Sequence, residues 1–212
     1  MPKVAASADK PPRRRTQAER REEAEQKLLE AALEIVARRG SVRMTLAEVG
    51  EAAGYSRGLP AQRFGNKAGL LRALAASIGT RFTTQLMAAP ERKPGLDAIR
   101  GNVVVYFNRK DRNWTTTRAL LVMMTEAFME GSELRDLLVS YNRGRLEFFE
   151  HHIRVGIDNG EISPDIDPAA TAVLLLGALR GVMHQWLVDN EIDLAKVRDT
   201  ALAVVDAVLP RK

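Results

Sequence analysis

The stretch from Arg43 to Leu70 restricts the possible folds of this chain more than any other. It reads as two short helices joined by a tight turn, followed by the start of a longer helix. Thr45 with Glu48 makes a capping box: the threonine hydroxyl accepts from a backbone N–H three residues on, and the glutamate reaches back. Leu46, Val49 and Ala53 recur at helical spacing and give the first helix one apolar stripe. Gly50 has no side chain, so a second helix can cross it closely. Gly54 stands where the helix must stop, because glycine takes the left-handed conformation without a Cβ clash. Ser56 is the expected N-cap of a short segment from Arg57 to Phe64. Two arrangements fit: an ordinary αα corner, or a helix-turn-helix whose second helix enters the DNA major groove.

The charge distribution favours the second. Residues 1–80 hold 15 Lys and Arg against 9 Asp and Glu, whereas residues 81–212 hold 17 against 18. The positive excess of a chain of net charge +5 therefore lies with the motif, the polarity expected of an end that meets phosphates. A merely soluble basic surface would give the same count.

The motif resembles the DNA-binding domain of the TetR family of transcriptional regulators. The matching residues are Gly40, the run Thr45 to Ser56 (TLAEVGEAAGYS), Gly58, Phe64, Asn66, Lys67, Leu70 and Leu71. The likeness is specific over residues 24–75. Two positions depart from it. Ala61 stands where the family usually has a DNA-contacting tyrosine, and Pro60 where it usually has leucine. With Ser56 as N-cap, Pro60 would be the fourth helical residue, beyond the first turn that tolerates proline. The helix is then expected to begin later or to have a loose first turn, and Gln62 and Arg63 gain weight as contacts.

Around the motif, residues 1–15 read as a disordered basic arm ending in Arg13, Arg14 and Arg15. Residues 16–66 form the helix-turn-helix domain, with a first helix from a Thr16–Glu19 capping box to about Arg39. Asn66 caps a connector helix over 67–87. Prolines break the chain between Ala89 and Pro94, and after Pro94 no proline occurs until Pro164. That gap favours long helices at Gly95–Arg109, Asn113–Met129 and Ser132–Asn159. Asp167 with Pro168 starts a helix to about Val188, and Asp193 starts the last, to about Leu209. No alternating strand pattern occurs, so the expected class is all-α, about nine helices. Residues 67–212 make a helical effector-binding and dimerisation domain.

The phrase GALRGVMHQWLVDN (177–190) is also similar to the family's C-terminal pair of helices. That resemblance implies a homodimer built on Leu174, Gly177, Ala178 and Gly181 packed with Val197, Ala201 and Val205; Val204 and Val208 extend the last stripe. Internal packing alone is the other use of such a stripe. A two-fold dimer would read a palindromic double-stranded operator, its recognition helices roughly 34–36 Å apart.

Resemblance also implies a small-molecule effector, of unknown identity, bound among the middle helices. Candidate lining residues are Tyr106, Phe107, Trp114, Leu121, Met124 and Phe128, joined by Phe148, His152 and Met183. Methionine and aromatic side chains can reshape around a ligand. Charged residues there are few, so an apolar or amphipathic molecule is expected.

On the DNA side, Ser56, Arg57, Gly58, Leu59, Gln62 and Arg63 present the recognition segment. Arg57 and Gln62 are expected at base edges, since arginine pairs bidentately with guanine and glutamine with adenine. Thr45, Arg63 and Lys67 are expected on phosphates.

Several chemistries have no support. The chain has no cysteine, hence no thiol catalysis or cysteine zinc site. His151 and His152 diverge on a helix and His184 is alone, so no metal site is expected. No P-loop, dinucleotide or HExxH pattern occurs, so neither an enzyme nor a cofactor is expected. No uninterrupted apolar run of membrane length and no secretory leader are seen, so no membrane partner and a cytoplasmic location are expected. A ligand-released repressor is the leading function; an effector-independent regulator or activator, or a helical interaction scaffold, are the alternatives.

Overall fold

The computed structural model describes residues 16–88, 92–108 and 114–210, and these form nine α-helices. They are α1 (Gln17–Arg39), α2 (Leu46–Ala52), α3 (Leu59–Phe64), α4 (Lys67–Met87), α5 (Leu96–Phe107), α6 (Thr115–Glu126), α7 (Arg135–Asp158), α8 (Pro168–Val188) and α9 (Leu194–Val208). Among the described residues the only β-type pairing is an isolated bridge between Ile162 and Pro210. The expected basic arm at 1–15, the helix end at Arg109 and the helix start at Asn113 lie outside the described residues.

Local chemistry sets the helix starts. At α1, Thr16 Oγ1 accepts from the Glu19 N–H at 3.1 Å and Glu19 Oε2 accepts from the Thr16 N–H at 2.7 Å. At α8, Asp167 Oδ1 accepts from the Ala170 N–H at 2.7 Å, with Pro168 in the first turn. Asp193 caps α9 in the same way, accepting from Ala195 and Lys196. Each cap satisfies N–H groups that a helix start otherwise leaves unpaired.

Two apolar cores run the length of the molecule. The first gathers Leu28, Ala32 and Val36 of α1, Val49 of α2, and Leu70, Leu74 and Ile78 of α4. It also takes in Ala119, Leu120 and Met123 of α6 and Leu134 and Leu138 at the start of α7. The second is built from Phe82, Ile99, Val103, Phe149, Ile153, Met183 and Leu209 with their neighbours on α5 to α9. α4 passes from the first core into the second. α1 therefore packs on α6 as well as on α2 and α4, so the N-terminal helices rest on the rest of the chain through two contacts, one covalent and one not.

α8 has two apolar faces. One, with Ala172, Leu176, Leu179 and Met183, is buried; the other is uncovered. Its mean hydropathy reaches 1.3 over 18 residues, enough by length and composition alone for a membrane span. The core helix of a packed bundle passes the same test.

Candidate nucleic-acid interface and ligand cleft

The α2–α3 unit is assembled from the turn outward. Thr45 Oγ1 accepts from the Glu48 N–H at 3.2 Å, and Glu48 Oε2 accepts from the Thr45 N–H at 3.0 Å. These bonds to Thr45, with Arg39 nearby, hold the Glu48 carboxyl below its usual range. Gly54 has φ +78°, the left-handed stop expected of it. A Cβ on Gly50 would lie 2.5 Å from the Ser56 carbonyl oxygen and 3.2 Å from Pro60 Cδ. The crossing is therefore as close as the sequence implied.

Of the two outcomes expected from Pro60, a later start or a loose first turn, α3 takes the later start. Gly58, not Ser56, is the N-cap, and Pro60 falls at the second helical position. There its missing N–H costs nothing and its fixed φ suits the helix. Ser56 instead accepts through its carbonyl from the Leu59 N–H at 3.1 Å, closing a turn ahead of the helix. Pro60 itself is buried against Gly50.

Ser56, Arg57, Gly58, Ala61 and Gln62 form the exposed face of this unit. Arg57 lies on Glu51 in a solvent-exposed pair, a contact of little energy that phosphate or a base edge can displace. Leu59 and Arg63 are half-buried. Arg63 is bound to Glu25 of α1 at 2.6 Å and donates to the Arg21 carbonyl at 3.4 Å. Lys67 donates to the Val42 carbonyl at 2.7 Å, and the Thr45 hydroxyl lies 3.1 Å from Glu48 Oε2. Arg63 thus ties α3 to α1, Lys67 ties α4 to the loop before α2, and Thr45 caps its own helix. Beside them, Gln17, Arg20 and Arg21 of α1 line a groove of about 390 Å³ with Leu59, Gln62 and Arg63. Arg20 and Arg21 had one sequence signal only, the charged-all-round first half of α1.

A second feature joins this unit to the remainder. The Glu126 carboxylate, at the end of α6, accepts from the Ser41 N–H at 2.8 and 3.1 Å, from the Ser41 hydroxyl, and from the Val42 N–H at 3.4 Å. Gly40 leaves room for it, since a Cβ there would strike the same carboxylate. Val42 also receives Lys67, so one loop collects α6, α4 and the start of α2.

Three of the nine candidate effector residues, Leu121, Met124 and Phe128, line a cleft of about 550 Å³ between α6, α7 and α8. The others are elsewhere. Tyr106, Phe107 and Met183 are packed in the second core. Trp114 stacks on Trp186 at 5.4 Å. Phe148 lies against His152 at 4.6 Å, and His152 Nδ1 accepts from the Gly95 N–H at 3.3 Å. Burial, then the neighbouring His151, pushes the His152 pKa down. The cleft adds Arg135, Asn142, Arg180 and His184, which the aromatic and methionine pattern did not single out.

On the uncovered face of α8, Leu174 is 72% exposed, and Gly177, Ala178 and Gly181 are exposed beside it. A Cβ at Gly177 or Gly181 would meet nothing. On α9, Val204 and Val208 are exposed, Val197 and Ala201 are half-buried, and Val205 is buried in its own chain's core. The free stripe of α9 is therefore offset by one position from the expected Val205. Among the described residues no three His, Cys, Asp or Glu side chains converge on a possible metal position.

A short helix crossing its predecessor at a glycine, with Arg57 and Gln62 on the exposed face of the pair and a large helical body behind it, defines a helix-turn-helix DNA-binding regulator. The chain belongs to the TetR family of bacterial regulatory proteins: the tetR-family model matches residues 28–74 and the BetI-type transcriptional repressor C-terminal model matches residues 96–210. No curated protein matches the sequence significantly. Solved structures similar to it include a Rhodococcus sp. protein assigned as a TetR-family transcriptional regulator, 26% identical, TM-score 0.78, covering 89% of this chain and 99% of that one. Another is the triclosan complex of SmeT, the repressor of the Stenotrophomonas maltophilia multidrug efflux pump SmeDEF, at 23% identity, TM-score 0.76, and 89% and 92% coverage. A third, from Saccharomonospora viridis, is assigned as a transcriptional regulator and bound to choline, at 19% identity, TM-score 0.76, and 90% and 100% coverage.

Proposed function

We propose that this regulator is a homodimeric repressor of a palindromic operator, released when a small apolar or amphipathic molecule enters the α6–α7–α8 cleft. The observation that carries this is the coexistence, on one chain, of an exposed α3 face and an uncovered apolar face on α8 and α9. Residues 16–66 act as the reading head, α4 as connector, and the remainder as the dimerising and ligand-binding body. Arg57 and Gln62 contact base edges. Thr45, Arg63 and Lys67 set the phosphate register, with Arg20 and Arg21 beside them. Leu174, Gly177, Ala178 and Gly181 with Val204 and Val208 meet their two-fold equivalents.

Ligand in the cleft displaces α6, and the displacement reaches the reading head through Glu126 and through α4. The spacing of the two heads then no longer matches successive major grooves. The cytoplasm is the location in keeping with this role.

Selection of duplexes from a random pool by the purified full chain tests the reading. An inverted repeat with affinity falling steeply with salt is expected. Arg57→Ala should relax preference at one position of each half-site, by roughly 1–3 kcal/mol. Equal affinity for every duplex, or recovery of a site without two-fold symmetry, overturns it.

A further inference from the structure

The cleft between α6, α7 and α8 has a polarity of its own. Its walls are apolar, from Leu121, Met124 and Phe128 on one side and Leu138 and Val139 on the other. Its lining contains no aspartate or glutamate. It does contain Arg180 of α8, which is half-buried where it lines the cleft with residues of the other two helices. The one side-chain hydrogen bond of that guanidinium among the described residues is to Asn142 Oδ1, a neutral acceptor. Other arginines lie on carboxylates: Arg63 on Glu25, Arg100 on Asp206, Arg154 on Glu150.

A guanidinium has five donors in a planar fork, and a buried cation without a counter-ion is costly. Burial lowers the Arg180 pKa, with the nearby Tyr106 and Tyr141 acting the other way. Arg135 stands exposed in the lining of the same cleft and adds positive potential. A quaternary ammonium, such as the choline held by the Saccharomonospora viridis protein, would meet a cation here and no carboxylate.

We infer that this cleft takes a monoanionic amphiphile, its acidic head paired with Arg180 and its apolar body lying between α6 and α7. The inference rests on the reading of the chain as a ligand-responsive regulator and specifies the ligand class. A volume of about 550 Å³ suits a single small molecule. The fork geometry suits a carboxylate or another planar oxyanion, which it can hold through two parallel bonds.

Calorimetric titration of the full chain with decanoate, decanol and decyltrimethylammonium, the two ions below their micelle concentrations and the alcohol below its solubility, is the test. Decanoate should bind at least about tenfold more tightly than decanol, the ammonium weakest of all. Arg180→Gln should leave decanoate and decanol equal, and Arg180→Lys should restore part of the preference. Equal binding of all three, tighter binding of the ammonium, or no binding of decanoate overturns the inference. So does an Arg180→Gln protein that keeps the preference; if that variant does not fold, the wild-type series and Arg180→Lys decide. Operator binding on the same preparation separates the two levels. A chain that holds its operator and is released by the ammonium alone remains a ligand-responsive regulator with the anionic assignment refuted. A chain that selects no palindrome loses the regulator reading, whatever its cleft binds.

Discussion

Replacing Glu126 by alanine should uncouple the cleft from the reading head while leaving both intact. The carboxylate takes three donors from the α1–α2 loop: the Ser41 N–H, the Ser41 hydroxyl and the Val42 N–H. Their costs of release differ. Val42 is 65% exposed, so its N–H finds water. Ser41 is 3% exposed, and a buried donor left without a partner costs about 1–3 kcal/mol. Part is returned, because the carboxylate no longer has to be desolvated at the end of α6. The net loss is roughly 2 kcal/mol, a fall in Tm of about 4–8 °C for a chain of this size. Glu126→Gln keeps one acceptor oxygen and should fall between. Calorimetry gives the Tm, and operator release titrated with a cleft ligand gives the function. Ligand affinity should be unchanged, while the ligand concentration that releases DNA rises by roughly 5-fold or more, the lower end of ordinary coupling energies. A Glu126→Ala protein that melts with wild type and releases DNA at the same ligand concentration refutes the role of this contact.

Gly50→Ala places a methyl 2.5 Å from the Ser56 carbonyl, so the α2–α3 crossing must open at a cost of about 1–3 kcal/mol; full operator affinity with an unchanged Tm would contradict the close crossing. Leu174→Asp puts a charge on the uncovered face of α8 without touching the chain's own core, and sedimentation should then show monomers that bind the operator weakly; a stable dimer would place the interface elsewhere. His152 is held neutral by burial, so its folded pKa lies below its unfolded one. The unfolded chain therefore binds the extra proton first, and stability present above the ordinary histidine range is lost as pH falls through it toward the lower folded value. His152→Gln should flatten that acid-side loss in a series of melts; an unchanged pH dependence would assign it to other groups.

The helix-turn-helix was legible because its determinants are local. Thr45 and Glu48 are three residues apart, Gly54 needs only its own φ, and Gly50 sits where the next helix must pass. The start of α3 was left between two outcomes because two local signals competed. Ser56 is a good capping residue, but a cap there would leave Pro60 inside the helix. Starting at Leu59 puts the proline in the first turn and its ring over Gly50. The proline, flagged as a departure from the family pattern, was thus the better guide to the helix boundary. Effector residues were harder to place, since Tyr106, Phe107 and Met183 have the side chains of a pocket and of a core alike. Packing alone separates the two, and two polar members of the cleft that bond each other, Asn142 and Arg180, lie 38 residues apart.

The junction was out of reach for the same reason: Glu126 and Ser41 are 85 residues apart. Its position nevertheless explains how a small ligand could act at a distance. Leu121, Met124 and Thr125 of the cleft wall stand with Glu126 on the last turns of α6, and Phe128 follows just beyond its end. A helix cannot shift one side of a turn and leave the other in place, because its hydrogen bonds fix the backbone as a unit. Any ligand that pushes the wall outward must therefore move the carboxylate, and with it Ser41, Val42 and the loop that leads into Thr45. α4 feels the same displacement through Lys67 on the Val42 carbonyl. The connector helix is then one of two arms meeting at one loop, and the non-covalent arm is the one that lines the cleft.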